Sequence, residues 1–157
     1  SNTVYSLTDL RGHVDQSIEQ PIRVSGHIVA MPERKQLVLM EKPFIEVYNE
    51  NDGQPLSDDA LLTEGVAIRS SLLYNSFVET IGLGIGPYAS YEMANLIGIP
   101  VKDSSQSSIP KVTIHDISEA AIQIGEAIFH FDFSDLGVIT LDRGTKLDLK
   151  VPTDSEY

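Results

Sequence analysis

The residues best suited to acid–base or ligand chemistry lie in the segment Ala-Ile-Phe-His-Phe-Asp-Phe, residues 127–133. On a strand, His130 and Asp132 would share the face opposite the three phenylalanines. The pair could bind a small ligand or exchange a proton, although a solvated polar face opposite an aromatic core is the simpler interpretation. The four histidines of the chain form no His-x-His or His-x-x-x-His pair. We therefore predict no metal site, no cofactor and no catalytic residue.

A second candidate is the segment Ile-Gly-Leu-Gly-Ile-Gly-Pro-Tyr, in which Gly82, Gly84 and Gly86 stand at alternate positions. A dinucleotide-binding loop needs Gly-x-Gly-x-x-Gly between a strand and a helix, but Pro87 occupies the third glycine position here. A P-loop needs Gly-Lys-Ser/Thr, which the chain lacks. We interpret the segment as a strand whose glycines permit a bend or a close backbone approach. Its bare face, with the His-Asp pair, is an alternative ligand-binding surface.

Acidic side chains dominate the charge. The chain has 23 acidic and 11 basic residues and a net charge of −12. Such a protein repels phosphate backbones and attracts basic partners, so we expect a basic protein partner rather than a nucleic acid. The candidate partner-binding residues are Glu46, Glu50, Asp52, Asp58 and Asp59. A cation-binding loop is an alternative, but it is not an EF-hand, because Gly53 at the sixth position puts Tyr48 at the first.

Length and composition set the class of protein. The 157 residues suit one domain, 1–157, in which Ser1-Asn2 resembles a scar of tag removal. No apolar run approaches about 18 residues, so no membrane span is expected. The absence of cysteine excludes disulfides and thiolate chemistry. The compartment stays open between cytoplasm and export.

Apolar alternation predicts several short strands. The segment 21–31 is predicted to be a strand, because residues 22–28 alternate between apolar or glycine and polar. Pro32–Lys35 predicts a tight turn, and residues 36–40 the returning strand. We expect a third strand or a bent continuation over residues 44–48, and a strand-like segment over 65–80. Helices are predicted after two N-cap serines, Ser6 and Ser57.

Two later segments are ambiguous. Residues 88–97 fit a helix or a strand, and 117–128 have helical spacing that Gly125 weakens. Residues 127–151 alternate through two turns and predict a C-terminal β-meander. The fold expected is mainly β, an antiparallel barrel or sandwich with one to three short helices.

The stretch Ile-Arg-Val-Ser-Gly-His-Ile and the strand after it resemble the opening of an OB-fold barrel. The resemblance covers residues 22–117 and implies a small barrel that binds single-stranded nucleic acid through basic and aromatic side chains. The only local basic cluster is Arg34, Lys35 and Lys42, with Phe44 and Tyr48 available to stack on bases. The C-terminal meander lies outside the resemblance.

These observations favour a non-catalytic acidic binding protein, of the kind that masks a basic partner as an inhibitor or an immunity protein does. Two alternatives stay open: a β-barrel that binds a small ligand in its interior, and an OB-type protein that binds single-stranded nucleic acid. An enzyme would require one of the histidines within hydrogen-bond reach of a carboxylate in a pocket.

Overall fold

The computed structural model describes residues 4–12, 20–82, 89–103, 111–133 and 138–143. Over these ranges the fold is mainly β, as the alternation predicts, with eight strands in one mixed sheet and four short α-helices. The elements in chain order are β1 (Val4–Tyr5), α1 (Leu7–Gly12), β2 (Ile22–Met31), β3 (Gln36–Met40), α2 (Phe44–Glu50), α3 (Asp58–Glu64), β4 (Val66–Arg69), α4 (Ser71–Thr80), β5 (Ala89–Asp103), β6 (Lys111–Ile124), β7 (Ala127–Asp132) and β8 (Val138–Arg143).

The strand pairings close on themselves. β2 pairs antiparallel with both β3 and β5, β3 pairs antiparallel with β4, β4 pairs parallel with β6, and β6 pairs antiparallel with β5. The hydrogen-bonded path therefore runs β2–β3–β4–β6–β5 and returns to β2. The sheet is mixed rather than antiparallel, because β4–β6 and β1–β2 are parallel pairs.

Beyond this ring, β6, β7 and β8 follow one another as antiparallel neighbours. β7 and β8 are the first two strands of the meander predicted over 127–151. The last predicted strand of that meander, residues 147–151, lies outside the described residues.

The inner face of the ring is a single apolar core. Alternate residues of five strands point into it, and helices α1 and α4 contribute Leu10 and Phe77. The buried side chains supplied by the strands include Val24, Ile28, Leu37, Leu39, Val66, Ile68, Ala94, Leu96, Ile114, Ile122 and Phe131. At about 25 cal/mol per Å² of apolar surface, this burial is the main term that holds the strands together.

A second apolar cluster lies on the outer side of β2 and β3. Val29, Met31, Val38 and Met40 face away from the core and are nevertheless buried. Val47 of α2 and Leu61 of α3 cover them, and Leu56 and Leu62 pack against the cluster. These strands are consequently apolar on both faces, which explains why the end of β2 and all of β3 lose the polar alternation of a half-exposed strand.

Three local predictions are confirmed. Ser6 caps α1 and Ser57 caps α3, each by accepting a hydrogen bond from the backbone N–H three residues later. Pro32 begins a 3₁₀ turn between β2 and β3, and Lys35 ends it with a φ of 50°.

One predicted strand is a helix, and a second is part strand and part helix. Residues 44–48 belong to α2, because the apolar side of the segment covers the outer cluster rather than pairing with a strand. The segment 65–80 divides into β4 and α4, and the divide is set by the Ser70 hydroxyl, which accepts from the Leu73 N–H at 3.0 Å. Leu73, Tyr74 and Phe77 then bury one face of α4.

The ambiguous segments are both strands. Residues 89–103 form β5, and the segment 117–128 is the second half of β6, the β6–β7 turn and the start of β7. Ala120, Ala121 and Ile122 are all buried, on both faces of the strand. Apolar residues therefore follow one another without the period of two of a half-exposed strand, and their spacing resembles that of a helix. Gly125, at a φ of 61°, supplies the turn.

The cap of α4 can be tested with two adjacent serines. Ser70→Ala removes the acceptor of the Leu73 N–H, and we expect a loss of about 1 kcal/mol in the free energy of unfolding. Ser71→Ala, at the exposed next position, should change it by less than about 0.5 kcal/mol. Urea unfolding of the two variants measures both values, and equal losses would contradict the cap.

Gly65 joins α3 to β4 in a space too small for any side chain. A Cβ there would lie 2.4 Å from Val38 Cγ1 and 2.8 Å from the backbone oxygen of Leu39. We expect Gly65→Ala to lower the free energy of unfolding by about 1–3 kcal/mol, because backbone must move to relieve the overlap. An unchanged unfolding midpoint would show that α3 does not approach β3 this closely.

Candidate functional site

The segment between β3 and β4 concentrates the charge of the protein. Residues 41–64 contain seven acids and one lysine, a net charge of −6 out of the chain's −12. The segment folds as α2 and α3, which lie on the outer cluster and leave their acids on the solvent side. We call this the acidic helical surface; it comprises the acids of residues 41–64 and includes the five predicted partner-binding residues.

Three of those five residues are ion-paired within the chain. Arg34 Nε lies 3.2 Å from Asp58 Oδ2, and Arg34 Nη2 lies 3.7 Å from Asp59 Oδ1. Lys42 Nζ lies 2.9 Å from Glu50 Oε1, and this hydrogen bond raises the pKa of the lysine. These pairs are solvent-exposed, so each contributes little to stability but fixes the position of its carboxylate.

The other two predicted residues form no ion pair among the described residues. Glu46 and Asp52 are both exposed, although the Glu46 charge still acts on nearby Lys42. Beside Glu46, Ile45 is 64% exposed, although it is a large apolar side chain. The acidic helical surface therefore combines exposed carboxylates with one apolar contact point.

Only the start of the glycine segment, Ile81 and Gly82, lies within the described residues, and it forms the end of α4 rather than a strand. Gly82 ends α4, with a φ of 91° and an N–H that donates to the Phe77 carbonyl at 3.2 Å. A helix thus precedes the glycines and β5 begins at Ala89, whereas a dinucleotide loop needs a strand before and a helix after. Gly84 and Gly86 lie outside the described residues, so the bare glycine face stays a prediction.

His130 and Asp132 belong to a polar group of side chains on the outer side of β2, β5, β6 and β7. Strand register places Ser25, Asn95, Ala121 and His130 side by side in one row. The adjacent row, two residues along each strand, contains Arg23, Ile97, Glu119 and Asp132. We call the six polar members, Arg23, Ser25, Asn95, Glu119, His130 and Asp132, the outer polar face.

The two carboxyl groups of this face influence one another. Glu119 and Asp132 are directly opposite across β6 and β7, which puts their Cβ atoms about 5 Å apart. Burial raises the pKa of Glu119, the Asp132 charge raises it further, and the Arg23 guanidinium opposes both effects. The face therefore holds one acid, Glu119, whose ionisation is disfavoured by burial and by a neighbouring carboxylate, and one cation that partly offsets this.

Of the residues on this face, the sequence singled out His130 and Asp132 but not Arg23, Asn95 and Glu119. The available signal was a polar residue within an apolar strand: Asn95 interrupts Met-Ala-Asn-Leu-Ile, and Glu119 precedes Ala-Ala-Ile. Asn95 is 4% exposed, so it is a buried polar side chain rather than part of a solvated face.

The remaining histidines are placed differently. His115 Nε2 lies 2.8 Å from the Thr113 hydroxyl on the outer side of β6. His27 is on β2, and His13 lies outside the described residues. Within the described ranges, no three His, Asp or Glu side chains are arranged to hold a metal ion.

One open cleft of about 440 Å³ lies beside the start of α4. Arg69 and Asp116 both line it, together with Ser71 and Phe133. The cleft therefore carries one basic and one acidic side chain in its lining.

No family model, curated protein or solved structure matches this chain. None of the helices in the part of the chain that the structure describes is long and apolar enough to cross a membrane.

Because the pKa of Glu119 is raised, replacing this residue should change the free energy of unfolding by an amount that depends on pH. The folded protein holds the proton of the Glu119 carboxyl group more tightly than the unfolded chain does, so this group favours folding at low pH. The contribution is lost as pH rises through the raised pKa. We expect Glu119→Gln to stabilise the protein relative to wild type at neutral pH, and this gain to shrink below the ordinary pKa of 4.5.

Urea unfolding at several pH values measures this difference. Glu126→Gln, which removes an exposed carboxylate from the β6–β7 turn, controls for the loss of one negative charge from an acidic chain. A Glu119→Gln effect that equals the control at every pH would contradict the proposed environment of Glu119.

Proposed function

We propose that this is a non-catalytic binding protein whose acidic helical surface docks a basic protein partner, in the manner of an inhibitor or immunity protein. The observation that carries the proposal is the concentration of half the net charge in 24 consecutive residues, folded as two helices on one side of the sheet. Dense, pre-positioned carboxylates raise the association rate with a cationic partner and discriminate against acidic ones.

The exposure of Ile45 favours binding to a protein partner over a role of the acidic charge in solubility alone. A binding surface commonly has an apolar anchor at its centre and charged residues at its rim. Ile45 stands next to Glu46, and the ion-paired Glu50 is one helical turn further along α2. The helices themselves are held by Val47 and Leu61, so docking requires little ordering of backbone.

We further propose that the ring of strands is an OB-type barrel. The spatial order β5–β2–β3–β4 is a Greek key, in which three consecutive strands pair and the fourth returns beside the first. β6 then closes the path between β4 and β5. A five-stranded Greek-key path with a helix between its third and fourth strands supports the resemblance over residues 22–117.

The OB-type nucleic-acid alternative has less support. OB barrels bind oligonucleotides on the face of their second and third strands, here β3 and β4. The outward side chains of β3, Val38 and Met40, are buried beneath α2 and α3. Of the basic cluster, Arg34 and Lys42 are engaged by the protein's own carboxylates.

The small-ligand barrel also has less support, because apolar side chains occupy the inside of the ring. Twelve of the largest side chains are less than 2% exposed there or in the outer cluster. A barrel that holds a ligand internally needs a cavity of some hundreds of Å³.

A defined probe can test the acidic helical surface. We suggest a synthetic amphipathic peptide with one lysine-rich and one leucine-rich face, with binding followed by fluorescence anisotropy. The triple variant Glu46→Gln, Asp52→Asn, Asp59→Asn should bind about tenfold more weakly at low salt, from roughly 0.5 kcal/mol per exposed charge pair. At about 0.5 M salt, where screening is strong, the difference should largely disappear.

A matched control removes three exposed acids elsewhere: Glu79→Gln, Asp116→Asn and Glu126→Gln. Its net charge equals that of the triple variant. A weakening specific to the triple variant therefore comes from the acids of α2, α3 and the connection between them rather than from the total charge. Equal weakening by both variants would refute docking at α2 and α3.

A further inference from the structure

We propose that the cleft beside the start of α4 binds a free α-amino acid with an apolar side chain, its carboxylate toward Arg69 and its ammonium group toward Asp116. The cleft shares no residue with the acidic helical surface. Its volume of about 440 Å³ falls within the range of about 300–1,000 Å³ that is typical of small-molecule pockets.

The part of the lining that β6 supplies comes from an irregularity in strand pairing. The residues from Asp116 to Ser118 stand opposite the single Gly98 of β5, so the ladder contains a bulge. A Cβ at Gly98 would lie 2.5 Å from Ile114 Cγ2 and 2.6 Å from Ile117 Cδ1, because β6 packs closely on β5 here. Asp116, at a φ of 51°, is exposed, while the next residue, Ile117, is buried in the core. The bulge therefore presents a carboxylate on a firmly packed base.

A second part of the lining comes from the junction of β4 and α4. Arg69 is the exposed last residue of β4, and Ser71 and Leu72 are the first two residues of α4. The backbone N–H groups at these first helical positions have no acceptor within the helix, and the helix dipole is positive at this end. The guanidinium makes this part of the cleft favourable for a carboxylate, and the start of α4 adds to that preference.

The two charged side chains of the cleft specify a ligand with both signs of charge. Arg69 and Asp116 form no ion pair with each other or with any other residue in the described ranges. A simple anion would be repelled by Asp116, and a simple cation would be repelled by Arg69. A zwitterion gives each group an opposite charge and leaves the net charge of the cleft unchanged.

Apolar side chains in the lining favour a ligand that also carries an apolar group. Leu72 is 51% exposed, so a ligand can cover it. Phe133 packs against the core and stacks on the buried Phe131 with ring centroids 6.3 Å apart, which fixes its position. Contact with either side chain removes apolar surface from water. An α-amino acid suits this lining, because its carboxylate, its ammonium group and its side chain diverge from one carbon atom.

Titration of the full chain with L-leucine, followed by heteronuclear NMR, tests the cleft directly. We expect saturable shifts of the backbone amides of Ser71, Leu72 and Ser118 that fit one dissociation constant. Isocaproate is leucine without its ammonium group, and isoamylamine is leucine without its carboxylate. Each should bind about threefold more weakly than leucine, because each loses one exposed charge pair.

Variants then assign each charge of the ligand to a residue. Arg69→Gln should weaken the binding of leucine and isocaproate about threefold, without weakening that of isoamylamine. Asp116→Asn should weaken leucine and isoamylamine by a similar factor, without weakening isocaproate; asparagine tolerates a positive φ, so the bulge is kept. Glu126→Gln, an exposed position outside the cleft, should leave all three dissociation constants unchanged.

Three results would overturn the proposal. The first is a set of shifts that does not saturate with leucine, and the second is equal binding of leucine and both truncated ligands. The third is a pair of variants, Arg69→Gln and Asp116→Asn, that affect the three ligands alike or not at all.

Discussion

The structure depends on β2 and β3 being buried on both faces. Their inward side chains fill the ring, and their outward side chains, Val29, Met31, Val38 and Met40, pack beneath α2 and α3. The apolar outer cluster therefore decides where the connection between β3 and β4 must lie. Because that connection is also the most acidic part of the chain, packing of its apolar residues places half of the net charge on one side of the molecule.

The same arrangement explains how one sheet can carry two different outer surfaces. Along β2, the outward residues change from polar Arg23 and Ser25 to apolar Val29 and Met31. The apolar half is covered by helices, and the polar half faces outward beside β5, β6 and β7. Function at either surface requires no opening of the core, since the interior is filled by side chains.

Much of the fold follows from local sequence signals, and the remaining segments are decided by tertiary burial. Alternation located β2, the apolar run after the Pro32 turn located β3, and the serine caps located α1 and α3, because these signals extend over a few residues. Residues 44–48 were wrongly assigned to a strand, since their apolar side covers the outer cluster as part of α2. Residues 117–128 stayed open between helix and strand, since burial on both faces of β6 removes the period that would separate the two. The candidate residues on the outer polar face come from four strands, and their meeting depends on register, which the sequence of one strand does not contain.

The most direct test of this account is the contact between the helical connection and the outer cluster. Methyl-to-methyl nuclear Overhauser effects should connect Leu61 of α3 and Val47 of α2 with Val38 and Met40 of β3. Strong cross-peaks among these groups are the expected result. If Val38 and Met40 instead showed contacts only to solvent or to their own strand, the helices would not be held on the sheet, the acids would have no fixed surface, and a nucleic-acid face on β3 and β4 would regain its support.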